Sequence, residues 1–289
     1  MIEHALVDVT AAQSDIVLQQ VTQGDVFEFI QDDTLLSSSL WANIALAGLS
    51  ILLFVAMGRK VESTRARLIW VATLMVPLVS ISSYASLVSG LTAGFVEMPA
   101  GHALEGATAM VGGEEVTGVF QPWGRYLTWT FSTPFILAAL GMVAGTDRAT
   151  LFTAIAMDIG MCVTGLAAAL IESSHLLRWV FFGISCAFFL AVIYVLLVEW
   201  PEDAAAAGTA DIFNTLKILT VVLWLGYPLI WAVGAEGLAL VESAGLTSWG
   251  YSALDILAKY VFAFLLLRWV AANESVVSES SGLGSPADD

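Results

Sequence analysis

Apolar residues run along this chain in long unbroken blocks, separated by short stretches rich in Gly, Ser, Asp and Arg. A helix that crosses a bilayer core needs about 20 apolar residues. Seven blocks meet that length: Leu36 to Met57, Arg67 to Gly90, Gly124 to Gly145, Thr150 to Ile171, Leu177 to Trp200, Ala210 to Val233 and Ser248 to Ala271. The pattern predicts an all-α membrane protein, a seven-transmembrane-helix bundle with its termini on opposite sides. Pro77, Pro134 and Pro228 fall inside blocks, which membrane helices tolerate where neighbours satisfy the freed carbonyl. They read as ordinary kinks or, for Pro228, as the hinge of a helix that moves.

The connections are short except for residues 91–122, where VGGEEVTG, with its Gly pair and Val/Thr content, predicts a small hairpin over the outer face. Upstream, DVFEFIQDD sets Val26, Phe27, Phe29 and Ile30 at near-helical spacing, so residues 1–34 form an extracellular segment with a short amphipathic helix. The bundle proper spans 35–273. Residues 274–289, rich in Ser, Gly and acids, are expected to form a disordered cytoplasmic tail.

Composition agrees: 58% of the 289 residues are hydrophobic, and the mean hydropathy is +0.84, too apolar for a soluble domain of this length. Arg59, Lys60, Arg65 and Arg67 cluster after the first block, and Arg148, Lys217 and Arg268 lie at ends facing the same side. The positive-inside rule therefore places the chain in the cell membrane as a multi-pass protein, amino terminus extracellular and carboxyl terminus cytoplasmic. A formal net charge of −16 keeps the surface hydrated at high salt, which fits a halophilic setting and implies no nucleic-acid partner. No basic segment followed by an apolar core precedes the first block, so no cleaved signal peptide is expected. Cys162 and Cys186 fall within blocks and read as small apolar residues, with no metal or disulfide implied.

Chemistry enters with LDILAKYVFAFLLL, where Asp255 and Lys259 stand four residues apart, on one helical face, inside the seventh block. Each costs roughly 2.5 to 3.5 kcal/mol to insert. They are either a structural ion pair or a Schiff-base lysine with its counterion. In the third block Arg125, Thr128 and Ser132 form one polar stripe. In the sixth, Trp224, Tyr227 and Trp231 share a face, and Trp224 and Trp129 lie too deep for an interfacial belt. Large flat rings beside such a lysine suit a long conjugated ligand.

The combination of LDILAKYVFAF, RYLTWTFSTP and VLWLGYPLIW, with DIGMCVTGLAAAL and MPAGH, resembles the microbial rhodopsins from Leu35 to Asn273, and in detail the halorhodopsins, light-driven chloride pumps. That resemblance implies all-trans retinal bound covalently to Lys259, with Asp255 as counterion. It implies a pocket of Trp129, Met161, Gly165, Phe182, Ser185, Trp224, Tyr227, Pro228 and Trp231; many relatives carry tryptophan at the position of Phe182. It also implies a lipid bilayer around the bundle, a homotrimer as a family expectation, and a carotenoid as a further candidate partner. The chain is thereby an ion transporter and not an enzyme.

Charge counting gives the transported species. Protonated Lys259 and Arg125 against Asp255 leave one surplus positive charge, costly in a low-dielectric interior unless an anion meets it. Proton-pumping relatives carry acids at the positions of Thr128 and Ala139, and neither residue here can relay a proton. Thr128, Ser132 and Arg125 suit chloride or another small anion. Light-driven reorientation of the Schiff-base N–H from the Thr128 side would draw chloride inward. Glu236 is placed near the outer mouth, and Lys217 and Thr220 near the inner release path, where they read equally well as loop or packing residues. Asp158 reads as an interhelical hydrogen-bonding residue. The alternatives are a sensory rhodopsin, whose relatives usually keep the acid at position 128, an outward proton pump, or a retinal-free bundle.

Overall fold

The computed structural model describes residues 21–279. Within them an amphipathic helix α1 (Gln23–Asp32) precedes the bundle, opened by a capping box in which Thr22 and Asp25 bond reciprocally. Val26 and Ile30, one turn apart, are its buried face. Asp33 then caps α2 (Thr34–Gly58) through the amides of Leu35 and Leu36. Next come α3 (Thr64–Val88), α4 (Gly124–Ala144), α5 (Arg148–Leu170), α6 (His175–Ala206) and α7 (Ala210–Val233). These last five, with α2, are six helices long and apolar enough to span a membrane. A seventh helical stretch, α8, covers residues 244–272 and is interrupted by the π turn Ile256–Val261, which contains Lys259. Such π turns cluster at functional sites because the extra residue per turn re-aims side chains.

Proline explains a second irregularity. The α7 helix breaks at Leu225, between Ala210–Trp224 and Gly226–Val233, because Pro228 has no N–H to offer the Trp224 carbonyl four residues back. Gly226 sits where a Cβ would come within 2.8 Å of the Leu254 side chain, so the broken segment lies directly on α8. Pro77 and Pro134 leave α3 and α4 continuous.

The long connection holds two antiparallel ribbons: β1 (Gly94–Val96) with β4 (Val119–Gln121), and β2 (Thr108–Val111) with β3 (Glu114–Thr117). Gly112 and Gly113, at φ 61° and 86°, make the tight turn of the inner ribbon, a conformation that side-chain-bearing residues resist. The outer ribbon had no sequence signal beyond its length. Phe29 of α1 meets Phe95 and Phe120 at 5.1 and 5.3 Å between ring centroids, tying α1 to the ribbons as one cap over this end.

At the other end the expectation of a wholly disordered tail needs correction. Residues Glu274–Glu279 form a short helix, α9, with Val277 buried. The Glu274 carboxylate accepts the amides of Glu62, at 2.7 Å, and of Ser63, so the segment has partners that composition did not reveal. The remainder of the expected tail, 280–289, and residues 1–20 lie outside the described residues. The main core lies between the helices in this half, around Phe54, Ile69, Leu140, Trp200, Phe213 and Leu266, leaving a polar and aromatic middle layer towards the ribbons.

Candidate functional site

A cavity opens in that middle layer, almost entirely apolar but for Lys259 and a few hydroxyls. Trp129, Met161, Gly165, Phe182, Ser185, Trp224, Tyr227, Pro228 and Trp231 all line it with Lys259, supplied by α4 to α8. Tyr126, Thr133, Cys162, Cys186, Phe189 and Tyr251 line it too. The rings set its walls. Trp129 stands edge-on to Tyr227 at 5.1 Å, and Phe182 stacks on Trp231 at 4.2 Å and 11°. Ser185 donates to the Met161 carbonyl at 2.8 Å, locking α6 against α5. Gly165 keeps its place open: a Cβ there would meet Ser185 and Tyr126 at 3.3 Å. Cys162 is buried and Cys186 half-buried, both free thiols.

Lys259 and Asp255 form an ion pair at 3.0 Å, each 1% exposed. Tyr84 donates to Asp255 Oδ2 and Tyr227 to Oδ1, both at 2.7 Å. With Lys259 on one oxygen and a tyrosine on each, the carboxylate is fixed in orientation.

Arg125, Thr128 and Ser132 are buried along one face of α4. Arg125 donates to Ser248, which in turn pairs with Ser39 at 2.5 Å, and its guanidinium lies 5.1 Å above the Tyr251 ring. Among the described residues its Nε and Nη1 have no hydrogen-bond partner, and neither has Ser132 Oγ. Thr128 Oγ1 donates to the Gly124 carbonyl or pairs with Ser83 Oγ. Among the described residues the Lys259–Asp255 contact is the one ion pair, so the Arg125 charge meets no carboxylate at bonding distance.

The other expected positions are spread out. Glu236 lies in the connection after α7, accepting from Gln121 at 2.5 Å, Tyr126 at 2.9 Å and Tyr251 at 3.4 Å; with Arg125 it lines a second cavity beneath the ribbons. Lys217 stands 5.7 Å over the Phe213 ring, and Thr220 is buried with no hydrogen-bond partner among the described residues. Neither lines either cavity. Asp158, fully buried, accepts from Thr133 at 2.7 Å, joining α5 to α4.

Sequence reasoning missed Ser83, Tyr84, Ser248 and Tyr251. Two signals were present. SISSYAS places Ser80, Ser83 and Tyr84 at steps of three and four, and Ser248, Tyr251, Ser252, Asp255 and Lys259 make one continuous polar stripe along α8.

A family model described as bacteriorhodopsin-like protein matches residues 34–273. A halorhodopsin of Halobacterium halobium is 72% identical over 93% of this chain and 96% of its own length. One from Haloarcula marismortui is 70% identical over 96% and 99%. A solved structure titled as halorhodopsin, a light-driven chloride pump, superposes with a TM-score of 0.80 at 63% identity, over 85% of this chain and 99% of that one. A family match across the whole bundle and relatives alike over nearly their full length place this chain in the bacteriorhodopsin-like family, among its halorhodopsins.

Proposed function

We propose that the protein is a light-driven inward chloride pump, with retinal held in the aromatic cavity and the anion between Arg125, Thr128, Ser132 and the Lys259 nitrogen. The cavity fits the group: flat rings on its walls, a glycine where a side chain would intrude, and a single amine, Lys259, among its lining residues. Retinal, bound through Lys259 as a protonated Schiff base in the all-trans form, supplies light absorption and a change of shape.

The observation that carries the anion is the charge balance. Lys259 and Arg125 bring two buried positive charges, and Asp255, its oxygens held by Tyr84, Tyr227 and Lys259, cannot turn to serve both. A desolvated guanidinium with unpartnered N–H groups, on the same helix face as the unpartnered Ser132 hydroxyl, favours an anion. Arg125 faces the cavity beneath the ribbons, through which an anion reaches it from that side. Thr128 and Ser132 then donate along its path towards Lys259. Ala139, two turns further along α4, is fully buried and has no ionisable group, so the chain returns no proton from that position. The basic cluster at the α2–α3 turn orients the ribbons outward and the Glu274 end towards the cytoplasm.

The test is light-driven flux in cells or vesicles of known orientation. Inward chloride makes the interior negative, protons follow passively, and the medium turns alkaline. A protonophore should enlarge the alkalinisation, and removing external chloride should abolish it. Acidification abolished by protonophore would leave an outward proton pump; colour without any ion movement would leave a sensor.

A further inference from the structure

Two histidines outside the ion path meet under the cap. His102, in the loop between the ribbons, and His175, at the start of α6, have ring centroids 5.3 Å apart. Each accepts a hydrogen bond. Leu104 N–H donates to His102 Nδ1 at 3.1 Å, and Trp179 Nε1–H donates to His175 Nε2 at 2.7 Å. Those donors fix both imidazoles as neutral, because a protonated ring has N–H at both nitrogens and cannot accept. Trp179 in turn stands edge-on to Trp231 and Phe182, at 5.4 and 5.5 Å between centroids, and those two rings line the chromophore cavity.

We infer that His175 is a positioning residue for the chromophore cavity: as a neutral acceptor it holds the Trp179 indole against Trp231 and Phe182, and protonation of His175 releases it. The release acts through packing, since Trp179 itself does not line the cavity. Losing the Nε2 acceptor frees the indole to turn, and the stacked Phe182 and Trp231 lose the edge that braces them.

The charges around His102 favour its neutral form. Burial first, then the Arg178 guanidinium and His175 itself, hold His102 below the usual imidazole range. Arg178, on the same helix as His175, is buried and bonded to the carbonyls of Ala169, Ile171 and Glu236. The nearby acids are engaged elsewhere: Glu236 with Gln121, Tyr126 and Tyr251, Glu172 with the Glu97 amide, and Glu105 with the Gly101 amide. His102 is 4% exposed, whereas His175 is half-buried.

The inference rests on the cavity being the retinal site. Its test is a titration between about pH 8 and about pH 5, the range in which imidazoles change charge, at fixed saturating chloride. Two signals are read: the visible band of the pigment, and the indole N–H hydrogen-bond marker in ultraviolet resonance Raman spectra of the retinal-free protein. Wild type should show a step in both. His175→Gln, whose amide oxygen accepts without titrating, should keep the neutral-pH band and lose both steps. His175→Phe should show the displaced band at every pH. His102→Gln should keep a step in both signals. A step that survives in His175→Gln, or a wild-type band and indole marker indifferent to pH, overturns the inference. A protein that never takes up colour refutes the retinal reading, and the Raman titration still decides the role of His175.

Discussion

The Lys259 ammonium meets Asp255 Oδ2 at 3.0 Å, one turn along the same helix, with both side chains sealed from solvent. Removing one member of such a pair strands a buried charge, at a cost of about 3–5 kcal/mol. Asp255→Asn should therefore destabilise the retinal-free protein by about that much, and Asp255→Asn combined with Lys259→Met should recover most of the loss. Denaturation in detergent measures both. A double variant no more stable than Asp255→Asn alone would show that the loss comes from the Tyr84 and Tyr227 bonds instead. Lys259→Ala should fold and stay colourless, because Lys60 and Lys217 do not reach the cavity.

Thr128 lies on the same stripe of α4 as Arg125, whose Nε and Nη1 are unpartnered among the described residues, and is bonded to Ser83. Thr128→Asp should supply the missing negative charge covalently, so that the visible band loses most of its dependence on chloride. Thr128→Val keeps the shape and removes the donor; a hydrogen bond to a charged group is worth about 1.5–3 kcal/mol, so chloride affinity should fall about tenfold to about a hundredfold. A titration of the band with chloride measures each. Unchanged affinity in Thr128→Val would place the anion elsewhere.

These partnerships also mark where the sequence stops informing. The bundle was legible because apolar blocks of membrane length have few other readings, and Asp255 and Lys259 stood out because charge inside such a block is costly. Tyr84 and Ser83 did not, since hydroxyl residues are ordinary in membrane helices. That they meet Asp255 and Thr128 depends on the rotation of α3 about its axis, which no single-helix pattern contains. The α9 helix was hidden for the opposite reason: its charged composition is that of a free tail, and its order comes from bonds to a segment about 210 residues earlier. The break in α7 was marked only as a kink or hinge at Pro228, since Pro77 and Pro134 carry the same signal and leave their helices continuous.

Gly165 is a position where size decides occupancy. A methyl there already meets Ser185 and Tyr126 at 3.3 Å, and a longer side chain must extend into the cavity. Overpacking of this kind costs about 1–3 kcal/mol, so Gly165→Leu should fold yet take up retinal about ten- to a hundredfold less well, with a displaced band. Reconstitution of the retinal-free protein with added retinal checks this. Uptake at the wild-type level would show that this wall does not touch the chromophore.

Glu274 offers a prediction at the opposite end of the bundle, where pH acts on a surface contact. The Ser63 amide foremost, then that of Glu62, hold its carboxyl below the usual glutamate range. A carboxylate whose folded value is depressed stabilises the fold above its unfolded value, about 4.3, and that contribution is lost as pH falls through the lower, folded value. Ser63 is also the residue that caps α3, through the Ala66 amide, so the contact staples α9 to the first turn of a membrane helix. At neutral pH the Glu62 and Ser63 amides should be protected from hydrogen exchange, after correction for the intrinsic rate, and Val277 should stay packed. Protection should fall in strong acid, and in Glu274→Ala it should be low throughout and independent of pH. Protection that is equal in wild type and Glu274→Ala at neutral pH would show that the α9 segment is held by the Val277 contact and not by this carboxylate.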